Sequence, residues 1–519
     1  MKKYLFFLIT IIGLQSFSQT NNLNDINDID GKEIHSKLRL NYIPVDMPFD
    51  QFTPNLEKKM TMLGMHYFLP INKNFYGGVV MYGAIFGDQS GFFTIGATVG
   101  YQHKIFNNIY LDANFHIGAG GSNSQLVNTG LLLNPNIGFE YKFKKYSFGL
   151  QYSLIDFPTG IINSNSWSVF LEIPSVLKIT DYKEVHKKFI ANNIDKSSFW
   201  QKPAVKSVQQ IRFDFLFPVG KSKKDDGKDL SETLYMLGFE YQKYLNKNTF
   251  AYVHTDAIYR GLTAGYMDLF FGLGYNWIDT SYLNFFTKFG IGAAGGRVAQ
   301  EGGLTAYPST GFDLKITERI ALSGHAGYFR FLDGTLEAYT GGLGIKYFNF
   351  SGGVKNKYGK NNFKIAETKS IQIAIENQWY WNMKRRDGSS VDLDQIAIRV
   401  LFDVSKKLYL LGETSFAYGG ADAGGYAHGI VGLGYNSKAI CNNKIIPFIE
   451  LGVGVAGGGR IDTKGGVVVR PAVGLNYNIK DNLKIKGSYA QFYSPFGTVN
   501  SPNFNIGVVY GLSFLNVKK

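Results

Sequence analysis

Eight histidines are the first residues to ask about chemistry: His35, His66, His103, His116, His186, His254, His325 and His428. None forms an HExxH motif or an i, i+4 pair with a third ligand nearby, the spacing that gathers a catalytic zinc on one helix face. His116 and His325 lie beside strand serines, the residue types of a Ser–His–acid lipid-modifying centre. No nucleophile falls within reach of either, so both read as hydrogen-bonded strand histidines. Cys441, in a predicted turn, is the sole cysteine, which excludes a disulfide framework and a cysteine zinc site, since each needs at least a pair of thiols. The run Gly290-Ile-Gly-Ala-Ala-Gly-Gly296 has the glycines of a dinucleotide loop, but no helix follows it. No cofactor, metal or catalytic set is expected.

Charged residues at alternate positions are more informative. In Ile211-Arg212-Phe213-Asp214-Phe215, Leu237-Gly238-Phe239-Glu240-Tyr241 and Ile396-Ala397-Ile398-Arg399-Val400, successive side chains of an extended chain point to opposite faces, one apolar and one polar. The same holds for Leu38-Arg39-Leu40-Asn41-Tyr42 and for Ile371 to Glu376. Two polar sets follow: Arg212, Asp214, Glu240, Lys288 and Asp313 in the middle of the chain, and Glu376, Arg399, Glu450 and Arg470 in its last third. Each mixes signs and can pair within itself, as buried charges must. Gly290, Gly292, Gly452 and Gly454 fall on the same inward face and would relieve crowding in a narrow interior.

The elements that position these residues recur. Phe115-His-Ile-Gly-Ala-Gly-Gly121 aligns with Phe289-Gly-Ile-Gly-Ala-Ala-Gly-Gly296 and with Leu451-Gly-Val-Gly-Val-Ala-Gly-Gly458. Downstream, Pro135 and Gly138 match Pro308 and Gly311, and then Pro471 and Gly474. Three repeats are therefore expected, over 33–175, 206–350 and 367–517, joined by linkers at 176–205 and 351–366. Each repeat holds about eight strand-like runs; in the third they fall near 370–382, 391–404, 407–418, 425–436, 445–458, 465–479, 483–493 and 503–516. Such lengths exceed the usual soluble strand and suit a tilted membrane-spanning one. Tight polar turns such as Asn107-Asn108 and Asp481-Asn482 alternate with longer connections such as 44–58, 219–231 and 494–502.

Composition agrees. The 519 residues include 61 glycines, with aromatic residues at 15% and charged residues at 18%, the last below the usual quarter. No apolar stretch is long enough for a membrane helix after position 20. Residues 1–18 read as a secretory signal, with Lys2-Lys3 ahead of an apolar run and small residues at Ser16 and Ser18; without a cysteine at the cut, no lipoprotein anchor is expected.

On these features the chain resembles the outer-membrane β-barrel proteins of Gram-negative bacteria, particularly the small eight-stranded barrels. One departure is at the end, where those proteins often finish on an aromatic residue and this chain continues past Phe514 with Leu-Asn-Val-Lys-Lys. The resemblance implies an all-β, transmembrane antiparallel barrel in the cell outer membrane. Two architectures fit: three small barrels in tandem, or one fused barrel of about 24 strands. The paired charges and the long linkers lean toward the first.

Three function classes follow: a non-enzymatic structural or ligand-binding protein acting through its outer loops, a passive pore formed by a fused barrel, and a lipid-modifying barrel enzyme. The first is preferred because the charges look paired and no reactive set emerges. A formal net charge of +14 is of the sign that attracts lipopolysaccharide phosphates, peptidoglycan or nucleic acid, but the lysines are spread over turns and linkers and read as a solvated face; the expected partners are outer-membrane lipid and lipopolysaccharide, with other envelope proteins. Arg297 and Arg460, after the Gly-Gly tracts, are the outer-loop candidates for anion contact. No recognition helix or basic-aromatic cluster points to nucleic acid. Trp379, Tyr380 and Trp381 are expected in an interfacial aromatic girdle.

Overall fold

The computed structural model describes residues 29–48, 57–122, 124–194, 199–262, 265–299, 301–357 and 363–518. The signal expected over 1–18 lies outside them. The described residues form antiparallel β-strands apart from a few single turns of helix. Among the described residues no helix is long and apolar enough to cross a membrane.

The strands follow one another along the chain. First come β1 (Gly31–Asp46), β2 (Lys59–Pro70), β3 (Phe75–Phe86), β4 (Phe93–Phe106), β5 (Ile109–Gly121), β6 (Leu131–Lys142), β7 (Ser147–Asp156) and β8 (Asn163–Thr180), then the short β9 (Lys188–Ile190). Next are β10 (Val205–Val219), β11 (Leu234–Tyr244), β12 (Thr249–Arg260), β13 (Met267–Asp279), β14 (Leu283–Gly295), β15 (Leu304–Lys315), β16 (Ile320–Phe331) and β17 (Glu337–Ser351). The last are β18 (Ile365–Lys384), β19 (Ser390–Asp403), β20 (Leu408–Gly419), β21 (Ala427–Asn436), β22 (Ile445–Gly457), β23 (Val467–Lys480), β24 (Leu483–Tyr493) and β25 (Asn500–Lys518).

Neighbours in sequence pair antiparallel, and the pairing turns back on itself at three places. β8 returns to β1, with Arg39 opposite Glu172. β17 returns to β10, with Arg212 opposite Gly344. β25 returns to β18, with Glu376 opposite Gly507. Each closure pairs the backbone groups that an open sheet edge would leave exposed. Short bridges knit the 25 strands into one hydrogen-bonded system: Ser513 with Thr180, Ser351 with Asn516, and β9 with the start of β18.

The segments expected as linkers are shorter and better packed than the sequence implied. β8 runs on to Thr180, so 176–180 are strand, and β1 starts at Gly31 rather than 33. Trp200 is fully buried and its indole N–H donates to the Ile29 carbonyl at 2.9 Å. It belongs to an apolar cluster with Phe189, Ile194, Val354, Leu515 and Val517. Burial of that cluster is what draws these connections out of solvent. The residues after Phe514 are used here, which accounts for the strand continuing past that aromatic.

Burial alternates along the strands. On one face Phe139, Ile137, Leu343, Ile345, Leu451 and Val473 are exposed; on the other lie the closed interiors. The loop-side half of each interior is apolar. Ile43, Met60, Met62, Phe92 and Phe157 fill the first, Leu216, Met236, Phe270, Phe329 and Phe331 the second, and Tyr380, Met383, Leu393, Tyr426 and Phe492 the third. Tyr380 is thus not a girdle residue: alternation turns it inward between Trp379 and the exposed Trp381, and its hydroxyl donates to Gln378 at 3.0 Å.

The three closed ladders also touch each other. β3 lies against β14, β12 against β22, and β20 against β5. An apolar cluster joins Ile85, Phe93 and Ile95 of the first ladder to Leu269 and Ala293 of the second and Phe416 of the third. A Cβ on Gly83 would stand 2.6 Å from that of Ala293, so the β3–β14 approach needs glycine. At the loops, Ser90 N–H donates to the Glu301 carbonyl and Gly424 N–H to that of Asn128.

Candidate functional site

Every charge selected for an inward face lies in a closed interior. Arg212, Asp214, Glu240, Lys288 and Asp313 are buried in the second, and Glu376, Arg399, Glu450 and Arg470 in the third. In the second, the Arg212 guanidinium donates to Glu240 at 2.5 Å and to Asp214 through Nε at 3.1 Å. Lys288 reaches Glu240 at 2.6 Å, and Asp313 is held by Lys346 at 2.8 Å and Asn284 at 2.7 Å.

In the third interior Arg399 is the hub. Its three nitrogens meet Glu376 at 2.9 Å, Glu450 at 2.7 Å and Glu413 at 3.0 Å. Arg470 pairs with Glu413, and Lys486 bridges Glu450 at 2.9 Å and Glu376 at 3.2 Å. Burying each charge is costly, and only such multiple charge-assisted bonds offset it.

The first interior carries an equivalent cluster that the sequence reading left unselected. Arg39 forks onto Asp112 at 2.9 Å and Glu172 at 2.9 Å, and its guanidinium stacks on Phe170 at 3.8 Å. Lys37 also reaches Glu172 at 2.9 Å, while Glu140 is bonded to Gln102, which Lys142 holds at 2.7 Å. The signal was present in Leu38-Arg39-Leu40, but the acids that answer Arg39 come from β5 and β8, far along the chain. Glu413, His428, Lys346 and Lys486 went unselected for the same reason.

The histidines considered for catalysis have other partners. His116 Nδ1 lies 3.2 Å from the Thr98 hydroxyl, and His325 Nε2 lies 3.0 Å from Asp214 and 2.9 Å from Arg212. His254 Nε2 lies 2.7 Å from Asp256 and 3.9 Å from Asp268. The glycine run at 290–296 is strand up to Gly295, and Gly290 leaves room for the Tyr252 hydroxyl, which a Cβ there would meet at 2.4 Å.

The outer-loop arginines are engaged with loop acids. Arg297 pairs with Asp225 at 3.3 Å and Arg460 with Asp422 at 3.9 Å. Both adopt positive φ, 63° and 59°, just after the Gly-Gly tracts. Arg386 sits near the first of them: burial and the Arg297 charge lower its hold on its proton, partly offset by Asp462 and Asp225. Cys441 is exposed in the connection between β21 and β22.

No protein-family model matches the chain, and no curated protein does. Among solved structures, the siderophore receptor PirA from Pseudomonas aeruginosa is 8% identical, with a TM-score of 0.26 over 95% of this chain and 81% of that one. OpdQ from Pseudomonas aeruginosa is 10% identical, with a TM-score of 0.21 over 93% and 98%. A chain from de novo design of transmembrane beta-barrels is 14% identical, with a TM-score of 0.20 over 27% of this chain and 94% of that one. At these TM-scores the fold rests on the strand pairings described above.

Proposed function

We propose that the chain is a non-enzymatic outer-membrane protein built of three sealed eight-stranded barrels packed as one body, presenting their clustered loops to a ligand or envelope partner. The carrying observation is the filled interior: each closed ladder surrounds an apolar layer and an ion-paired layer. Eight strands enclose a space just wide enough for side chains. The opposite face supports a lipid setting, because exposed apolar surface on this scale is untenable in water. Aromatic residues gather near the short turns, among them Phe106, Tyr141, Tyr146, Tyr275, Trp277 and Tyr282, as in an interfacial girdle.

The contacts between ladders support one body rather than three tethered ones. The third strand of each lies against the fifth strand of another: β3 on β14, β12 on β22, β20 on β5. A head-to-tail contact repeated this way closes a ring. The connections between ladders, β8 to β10 and β17 to β18, lie on the turn side, so the three sets of loops share the other.

The test is electrical. Full-length protein refolded into a planar bilayer is expected to give no stepwise conductance, whereas reproducible nanosiemens steps would make the passive pore the better reading. For the loops, the expected partner is lipopolysaccharide through its phosphates. Arg297→Ala with Arg460→Ala should weaken its retention on an affinity column, and equal retention would remove these two residues from the proposal.

A further inference from the structure

One place in the second interior has no counterpart in the other two. At the second residue of the fourth strand, four residues before the end of the third, the inward cross-strand pair is Tyr82 and Thr94 in the first ladder and Ser415 and His428 in the third. In the second it is Asp256 and Asp268. Like charges directly opposite each other destabilise a sheet. Both carboxylates are buried in the apolar loop-side half, beside Tyr266 and Phe270.

Cations do not answer them as they answer the other acids. Among the described residues, the ion-pair partner of Asp256 and of Asp268 is His254. Arg212 is taken by Glu240 and Asp214. Four buried polar atoms here lack any hydrogen-bond partner: Asp214 Oδ1, Asp256 Oδ1, His254 Nδ1 and the Tyr266 hydroxyl. Tyr266 is 1% exposed, and Asp268 and Asp256 are the charges that act on its hydroxyl. Such groups have a large cost unless something fills the gap between them.

We infer that this gap is a binding site for a divalent metal cation, held by the carboxylates of Asp214 and Asp256 and the imidazole of His254, with Asp268 supplying the remaining negative charge. Ligand atoms of the first three lie within 4.8 Å of one another. That spacing admits a central cation at bond lengths of about 2.0–2.6 Å after small side-chain rotations. Carboxylates with one imidazole suit Mn²⁺ or Zn²⁺ rather than a thiophilic ion. A double positive charge would neutralise the opposed pair, and the orphaned atoms would gain a partner.

The experiment uses full-length protein refolded in detergent and stripped with EDTA, with Mn²⁺ and Zn²⁺ as probes. One equivalent of cation per chain is expected by calorimetry and elemental analysis, with loss of the free Mn²⁺ electron-resonance signal. Asp256→Asn should weaken binding at least tenfold, while Asp481→Asn, at an exposed turn, should leave it unchanged. Folding of each variant is read from heat-modifiable gel migration. If Asp256→Asn fails to fold, His254→Gln, which leaves the carboxylates in place, gives the same comparison. Folded protein that takes up neither cation would overturn the inference and leave a shared proton as the neutralising charge. Uptake that both binding-site variants leave intact would overturn it as well.

Discussion

The second and third interiors solve the same electrostatic problem with opposite assignments. In the second, the first strand carries Arg212 and the next carries Glu240, 2.5 Å apart. In the third, the first strand carries Glu376 and the next carries Arg399, 2.9 Å apart. The sign at a given strand is exchanged, yet the pair survives. The comparison teaches that these positions are constrained by complementarity across the interior and not by the chemistry of either residue. A catalytic carboxylate or a ligand-reading arginine would not tolerate such an exchange.

The two interiors differ in how completely they are paired. All three glutamates of the third meet Arg399, whereas the second leaves Asp256 and Asp268 with a single histidine. Each carboxylate of the third has at least two cations beside it, and the second holds two that share one histidine. That contrast directs the variants most worth making.

The largest effect is expected at the hub. Arg399→Met strips three buried carboxylates of one cation and should cost about 3–5 kcal/mol or more, seen as a lower urea midpoint in refolding into vesicles, with the third barrel melting first by limited proteolysis. Retained stability would mean that Lys486 and Arg470 suffice and that there is no hub. Next is the exchange itself. Arg212→Glu and Glu240→Arg should each be strongly destabilising alone, while the double variant, which reproduces the arrangement of the third interior, should recover about 1–3 kcal/mol of coupling in a double-mutant cycle. Additive losses would break the comparison.

A smaller and opposite pair of effects separates the interiors further. In metal-free buffer Asp268→Asn removes a like-charge contact and is expected to be neutral or to stabilise by up to about 1 kcal/mol. Glu413→Gln, which loses a carboxylate held by Arg399, Arg470 and His428, should lower the urea midpoint. The same sign for both would erase the distinction. The smallest effect is outside: Arg297→Ala breaks an exposed pair with Asp225 and should change stability by less than about 1 kcal/mol.

The amino-acid sequence alone determined the strands and their facing. Alternation has a period of two residues and is written locally, so Ile396 to Val400 declares its apolar outer and polar inner sides without reference to any partner. The turns, the repeated Pro and Gly positions and the lumen charges at Arg212 or Glu376 were legible for the same reason. Partner choice was not. Whether β8 pairs with β1 or with the next strand along is decided by closure over more than a hundred residues, through backbone hydrogen bonds that every residue type can make. The Arg39 cluster, the packed Trp200 connection, the inward turn of Tyr380 and the meeting of Asp256 with Asp268 and His254 depend on that closure. Only the tertiary structure brings distant strands to one interior, and there the cost of burying charge selects who must stand beside whom.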